Sequence, residues 1–212
     1  MVTRNNEAVI LLHGLGLHSL LMKKIEYFLH NAGYDVYNID YPSRKYTIDV
    51  LTEYLYSTLK QKPLDAYKSV HFIGHSLGGI LIRNLLSKHR FINRGKVIAL
   101  APPNRGSILV DRLRHYRLIS WYFGPSATQL GSDSRFLEQL QYIPDEYYVI
   151  AGKRSAGTLF GSWFDEPNDG AVSLQSTMAV GMERSHRSIF GVTHFTIMYN
   201  KKVIDKILEI LK

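Results

Sequence analysis

Gly74-His75-Ser76-Leu77-Gly78-Gly79 stands between an apolar run, Val70–Ile73, and a helical pattern over residues 80–86. This hexapeptide contains the G-x-S-x-G pattern of a sharp strand-to-helix turn. Because the turn is tight, side chains two residues before and after the serine would collide with the adjoining backbone, so glycine is required there. The Ser76 hydroxyl would then project at a helix N-terminus, where the Leu77 N–H can face a developing oxyanion. The pattern predicts a nucleophilic serine; a structural turn with an idle serine is the alternative.

The sequence around this turn fits one α/β domain. The chain has 212 residues, 45% of them apolar, which is enough to build a sizeable core. Apolar runs alternate with helical patterns, as in a mostly parallel sheet with helices on both faces. The predicted strands are 8–12, 34–39, 70–73, 97–100, 147–151 and 186–190, and the predicted helices are 19–31, 47–59, 77–89 and 196–211. We treat 1–212 as one domain, with 104–144 as a candidate cap or lid after the strand 97–100.

Composition narrows the classes of partner and compartment. No apolar stretch approaches the roughly 18 residues that cross a bilayer, and residues 1–6 lack a signal-peptide apolar region, so we expect a cytoplasmic protein. With no cysteine, disulfides and a cysteine nucleophile are excluded. The net charge of +8 favours anionic surfaces. Nucleic acid is not expected, because there is no zinc module, RNP-like aromatic motif or concentrated basic run. The oligomeric state is not indicated.

Among the nine histidines, His194 is the candidate general base. A hydroxyl needs a proton acceptor to attack at neutral pH. His194 follows Gly191-Val192-Thr193, between the last predicted strand and the last helix, and so lies at the carboxyl edge of the sheet where working groups collect. The alternative is a surface histidine at a helix N-terminus. His75 belongs to the serine turn and, by strand alternation, is expected to point elsewhere.

Asp169 is the candidate for the acid that orients the histidine. In the order Ser…Asp/Glu…His the acid lies between residues 76 and 194, after the strand 147–151. Asp169 sits in the compact turn Pro167-Asn168-Asp169-Gly170, which could hold one carboxylate rigidly. Asp165 is the second choice. The alternative role for Asp169 is an Asx-turn that caps its own loop.

The loop after the first strand is expected to supply a second oxyanion donor. In His13-Gly14-Leu15-Gly16 the glycines allow the backbone to bend, so that the Leu15 N–H can point to the same spot as the Leu77 N–H. Neither a G-x-G-x-x-G nor a G-x-x-x-x-G-K-[ST] pattern is present, and we expect no cofactor and no metal. His18 is a candidate substrate-binding residue, although it could instead cap the following helix.

The segment 108–123 bears on the substrate. It interleaves apolar residues with Arg112, Arg114 and Arg117, and ends in aromatic residues that include Trp121. Such a basic amphipathic cap could rest on an anionic membrane; the alternative is a helix packed on the domain with its arginines in water. We include Trp121 and Trp163 among the predicted substrate-binding residues, as apolar walls.

Four segments together resemble the α/β-hydrolase superfamily, and within it small bacterial lipases and esterases of the triacylglycerol-lipase type. They are 13–16, 74–79, 167–170 and 191–194, and residues 101–107 are similar to the segment that follows the corresponding strand in that group. The resemblance covers about 8–211 and implies an α/β-hydrolase fold. It implies a triad of Ser76, Asp169 and His194, with Leu15 and Leu77 as oxyanion donors. Larger secreted lipases carry a signal peptide and often a calcium site or a disulfide, and no motif in this sequence predicts any of these.

These features predict a serine hydrolase that cleaves acyl or lipid esters through an acyl-enzyme. The same groups can serve acyl transfer, thioester hydrolysis or amide cleavage, because fold and triad do not fix the leaving group. A non-catalytic binding module is the alternative from a different class of protein.

Overall fold

A computed structural model of the chain describes residues 5–114, 116, 122–155, 161–183 and 186–212. Its described residues form one six-stranded sheet in which every strand pair is parallel, in the order β2-β1-β3-β4-β5-β6. The strands are β1 Glu7–Leu12, β2 Asp35–Ile39, β3 Ser69–His75, β4 Arg94–Leu100, β5 Tyr147–Gly152 and β6 Arg187–Phe190. This confirms the predicted α/β architecture, with a sheet that is wholly rather than mostly parallel.

Helices cover both faces of the sheet. They are α1 Lys23–Asn31, α2 Ile48–Leu59, α3 Leu77–Lys88, α4 Ile108–Leu113, α5 Pro125–Thr128, α6 Arg135–Gln139 and α7 Lys201–Leu211. Short 3₁₀ turns lie at Ser19–Met22, Leu64–Ala66, Gly161–Trp163 and Thr196–Met198. Within the described ranges, no helix is both long and apolar enough to cross a membrane.

The alternation of side chains along β1 divides the core into two layers. Ala8, Ile10 and Leu12 pack with α2 and α3 on one face of the sheet. Val9 and Leu11 pack with α1 and α7 on the other. Because all five side chains are fully buried, β1 is apolar on both faces, as expected of a central strand in a parallel sheet.

The boundaries differ from the predictions where local contacts decide them. Strand β3 continues to His75, because the Ser76 N–H still bonds to the Leu100 carbonyl oxygen of β4 at 2.8 Å. The predicted helix 19–31 is a 3₁₀ turn followed by α1. The last helix begins at residue 201, since Asn200 caps it by accepting hydrogen bonds from the amides of Lys202 and Val203.

The described part of the candidate cap, 104–144, contains the three short helices α4, α5 and α6. It is fastened to the serine helix by the Arg83 guanidinium. Arg83 is 2% exposed and donates to the carbonyl oxygens of Leu140 and Tyr142 and to the Asn104 side chain. Whether part of this segment moves as a lid stays a prediction.

The serine turn is as tight as its glycines indicate. Ser76 has a φ of 52°, a left-handed conformation that side chains rarely adopt. A Cβ on Gly74 would lie 2.4 Å from the Gly78 carbonyl carbon, and a Cβ on Gly78 would lie 2.6 Å from the Leu12 carbonyl oxygen. The end of β3, the start of α3 and the end of β1 therefore approach more closely than any side chain permits.

Replacing Gly74 by alanine should destabilise the fold, because the new methyl group meets backbone that cannot move aside cheaply. We expect a loss of about 2–3 kcal/mol in the free energy of unfolding, and a melting temperature lower by roughly 4–12 °C. Thermal unfolding of Gly74→Ala measures this. Gly191→Ala is the control, because a Cβ there meets nothing within 4 Å; equal melting temperatures for the two variants would contradict the account.

Candidate active site

The candidate residues meet at the carboxyl edge of the sheet. Ser76 directly follows β3, Asp169 lies in the connection after β5, and His194 follows β6. Parallel strands bring their carboxyl ends to one edge, so residues distant in sequence become neighbours. All three side chains line one cavity of about 420 Å³ whose other walls are mainly apolar.

Asp169 and His194 are joined by two hydrogen bonds. The Nδ1 atom of His194 lies 2.8 Å from Asp169 Oδ2, and the His194 backbone N–H donates to the Asp169 carbonyl oxygen at 2.9 Å. A carboxylate accepts only, so Nδ1 carries the proton and Nε2 keeps its lone pair. The pair therefore presents His194 in the tautomer that can take a proton at Nε2.

The Asp169 carboxylate makes contacts that fit both roles considered in the sequence analysis. Its Oδ1 accepts hydrogen bonds from the Ala171 and Val172 amides, at 3.0 and 2.8 Å, and so caps its own loop. Its Oδ2 faces His194. Asp169 is fully buried, and these donors replace the hydrogen bonds to water that the carboxylate loses on burial. Asp165, the second choice, is exposed.

The loop after β1 is held in a fixed shape by side-chain contacts, while the Leu15 N–H in it has no hydrogen-bond acceptor among the described residues. The His13 ring donates from Nδ1 to the Gly14 carbonyl oxygen at 2.8 Å and stacks on Tyr41 with 4.1 Å between ring centroids. The Gly16 N–H donates to Ser43 Oγ, and Gly16 has a φ of 67°, which favours glycine. Within the described residues, the N–H groups of Leu15 and Leu77 donate to no protein acceptor. Leu15 lines the cavity, whereas Leu77 is fully buried and lies outside its lining, so the role of the two N–H groups as oxyanion donors stays a prediction.

His75 is the site residue that the sequence analysis missed. The expectation that it points elsewhere is wrong: His75 lines the same cavity, and its Nε2 lies 2.9 Å from the His194 carbonyl oxygen. Strand alternation describes the face of the sheet to which a side chain points. His75 is the last residue of β3, and there the loop that follows β6 contacts its side chain through the His194 carbonyl oxygen; nothing in the sequence signals this contact.

The predicted substrate-binding residues are less well supported by the geometry. His18 does not line the cavity; its side chain is 77% exposed, lies 3.6 Å from Asp40 and makes no cap hydrogen bond. Trp163 also lies outside the cavity lining, with the Arg112 guanidinium 5.3 Å from its ring centroid. Trp121 lies outside the described residues.

Apolar walls around the serine come instead from α4 and the loops beside it. Leu109, Val110 and Leu113 of α4 line the cavity, together with Leu15 and Phe123. The same five residues also line a second apolar cavity of about 100 Å³, which reaches Ala127 and Thr128 of α5. The two cavities therefore lie beside each other along α4, and Ser76 lines the larger of them.

Arg112 of α4 and Arg114, the next residue after this helix, interact with other side chains of the protein. Arg114 forms an ion pair with Asp133 and lies 3.9 Å from Asp111, while Arg112 covers Trp163. Arg117 is outside the described residues. Contact of this segment with an anionic membrane therefore stays a prediction.

In the described ranges, no group of three or more His, Asp or Glu side chains could hold a metal ion.

Comparison with known proteins identifies the family of this chain. Residues 9–193 match the model of the alpha/beta hydrolase family. The chain therefore belongs to the alpha/beta hydrolase family. No curated protein sequence matches it.

Solved structures share its fold at low sequence identity. The mature lipase BlEst2 of Bacillus licheniformis is 20% identical with a TM-score of 0.75, over 97% of this chain and 91% of that one. The monoacylglycerol lipase of Paleococcus ferrophilus is 17% identical with a TM-score of 0.66, over 99% and 95% of the two chains. The esterase EaEST of Exiguobacterium antarcticum is 15% identical with a TM-score of 0.69, over 99% and 93%. At these identities the likeness concerns the fold.

Proposed function

We propose that the protein is a serine hydrolase that cleaves carboxylic esters of apolar acyl groups through an acyl-enzyme. The observation that carries the proposal is the buried hydrogen bond of 2.8 Å between Asp169 and His194, on the wall of an apolar cavity that also contains Ser76 in its strained turn. A nucleophile, a base and an orienting acid in one cavity form the arrangement needed for acyl transfer to a serine. Lipases and esterases among the solved structures of similar fold agree with this reaction class.

In the proposed reaction, Ser76 Oγ attacks the ester carbonyl carbon while its proton passes to His194 Nε2. The Leu15 and Leu77 N–H groups donate to the resulting oxyanion, and the Asp169 carboxylate stabilises the imidazolium. His194 then gives its proton to the departing alcohol, which leaves Ser76 esterified. Water attacks this ester with His194 again as base, and the acid is released as Ser76 recovers its proton.

We propose that the two adjoining apolar cavities along α4 form one elongated site that binds an acyl chain. Ser76 lines the first part, and residues of α4 and α5 line the second part. Burying a methylene group contributes about 0.8 kcal/mol, so each added carbon that enters the site should strengthen binding of the reacting ester. We therefore propose straight-chain acyl esters, longer than acetyl, as the substrate class.

Ser76→Ala should abolish turnover of a p-nitrophenyl acyl ester, because Ser76 Oγ is the attacking atom in the proposed reaction. We expect kcat to fall at least about 10⁴-fold with the melting temperature preserved. Ser87→Ala, at the far end of the same helix, is the control and should retain wild-type kcat. Wild-type turnover in Ser76→Ala would contradict the assignment.

Asp169→Asn should lower kcat about 10³- to 10⁴-fold, because an amide can donate to Nδ1 and so favours the wrong histidine tautomer. Asp165→Asn, an exposed position in the same loop, should leave kcat unchanged. Steady-state kinetics of the two variants measure the difference. The role of Asp169 would be refuted by a kcat within threefold of wild type.

Val110→Phe should shorten the acyl group that the site accepts, because Val110 lines both parts of the cavity. If the larger ring excludes two methylene groups, kcat/KM for a decanoyl ester should fall roughly 15-fold, while that for an acetyl ester stays within about threefold. Ile108→Phe is the matched control, since Ile108 on the same helix lines a different cavity. Equal losses on both esters would contradict the assignment of an acyl site.

A further inference from the structure

The buried His75 side chain has no role in the mechanism above. It lies between Gly74 and Ser76 at the end of β3, is fully buried, and lines the cavity. Its ring centroid is 4.7 Å from that of His194, with the two rings inclined at 51°. A buried titratable ring beside a reacting histidine calls for a physical explanation.

The hydrogen bonds of His75 define its tautomer. Its Nε2 lies 2.9 Å from the His194 carbonyl oxygen, which can only accept, so Nε2 carries the proton. Its Nδ1 is buried and has no partner in the part of the chain that the structure describes. The ring also lies against the loop after β1, because a Cβ on Gly14 would come within 2.7 Å of this Nδ1. The ring is therefore confined between that loop and His194.

Together, Asp169 and His75 hold His194 at three points. Asp169 binds the backbone N–H at 2.9 Å and the ring Nδ1 at 2.8 Å, and both contacts come from the loop after β5. The third bond, from His75 to the His194 carbonyl oxygen, comes from the serine turn itself. Because His75 is covalently joined to Ser76, this bond links the position of the base directly to that of the nucleophile.

We propose that His75 is a positioning residue that sets the placement of His194 relative to Ser76 through its hydrogen bond to the His194 backbone. The inference rests on the proposed function, which it deepens. His75 does not touch the reacting atoms. It acts by keeping the proton acceptor in reach of the Ser76 hydroxyl, where a displacement of about 1 Å can cost on the order of 100-fold in rate.

The neutral state of His75 suits this role. Burial holds the pKa of His75 well below its usual range, and the nearby His194 lowers it further. When His194 takes the Ser76 proton, positive charge develops beside the His75 ring. A neutral donor holds the His194 carbonyl without repelling that charge, whereas lysine or arginine at position 75 would oppose it.

Two variants of matched shape separate the hydrogen bond from packing. Glutamine carries an N–H at the same number of bonds from Cβ as His75 Nε2, while methionine has similar length and no donor. We expect kcat of His75→Met to fall about 10- to 100-fold with KM within threefold of wild type, and His75→Gln to recover most of the loss. His71→Met is the control for burial, because His71 is 4% exposed on the same strand but lies at its opposite end; its kcat should stay within twofold.

The outcomes decide between a positioning role and a purely structural one. Equal kcat in the glutamine and methionine variants would overturn the proposal, as would a loss in His71→Met as large as that in His75→Met. A structural role alone would lower the melting temperatures and leave kcat unchanged below them.

The His75 tautomer provides a second test, which uses the wild-type protein and does not depend on whether a variant folds. In wild-type protein labelled with ¹⁵N-histidine at pH 7.5, NMR should show His75 protonated at Nε2 and bare at Nδ1; the reverse would refute the hydrogen bond. Wild-type turnover of acyl esters is measured first. Its absence would contradict the proposed function, while the tautomer measurement would still test the contact of His75 with His194.

Discussion

The close approach of three backbone segments at the serine turn is the constraint on which the rest of the site depends. Gly74 and Gly78 let the end of β3 and the start of α3 cross within distances that exclude a Cβ. Gly78 also lies against the carbonyl groups of Leu12 and His13, at the end of β1. The same contact that strains Ser76 therefore places the loop carrying Leu15 beside it. One set of backbone contacts thus positions both Ser76 and the loop that carries Leu15.

His194, the proposed base, is positioned instead by buried hydrogen bonds. One carboxylate oxygen of Asp169 accepts hydrogen bonds from backbone amides of its own loop, and the other oxygen accepts one from His194. A carboxylate held this way keeps its orientation without hydrogen bonds to water. His75 adds the connection between this pair and the serine turn. In the proposed reaction, charge develops beside the apolar walls from α4, and electrostatic interactions are stronger in such surroundings than in water.

The sequence predicted the parts of the structure that local pattern determines. Apolar runs such as 8–12 predicted buried parallel strands, and the chain order of Ser76, Asp169 and His194 predicted their meeting at one sheet edge. Long-range packing decided the remainder. The contact of His75 with His194 spans 119 residues and has no local signal. His18 faces Asp40 rather than the cavity, and Arg114 is paired with Asp133. Neither partner could be inferred from the spacing of residues in the sequence.

The central claim is that Ser76 becomes acylated, and identification of the residue that reacts with a fluorophosphonate tests it most directly. The wild-type protein is treated with the probe at neutral pH, digested and analysed by tandem mass spectrometry. The account predicts one stoichiometric adduct on Ser76, whose formation is blocked by prior unfolding. An adduct on another residue would contradict the assignment of Ser76. No adduct on the folded protein would contradict acylation altogether and would favour a binding module over an enzyme.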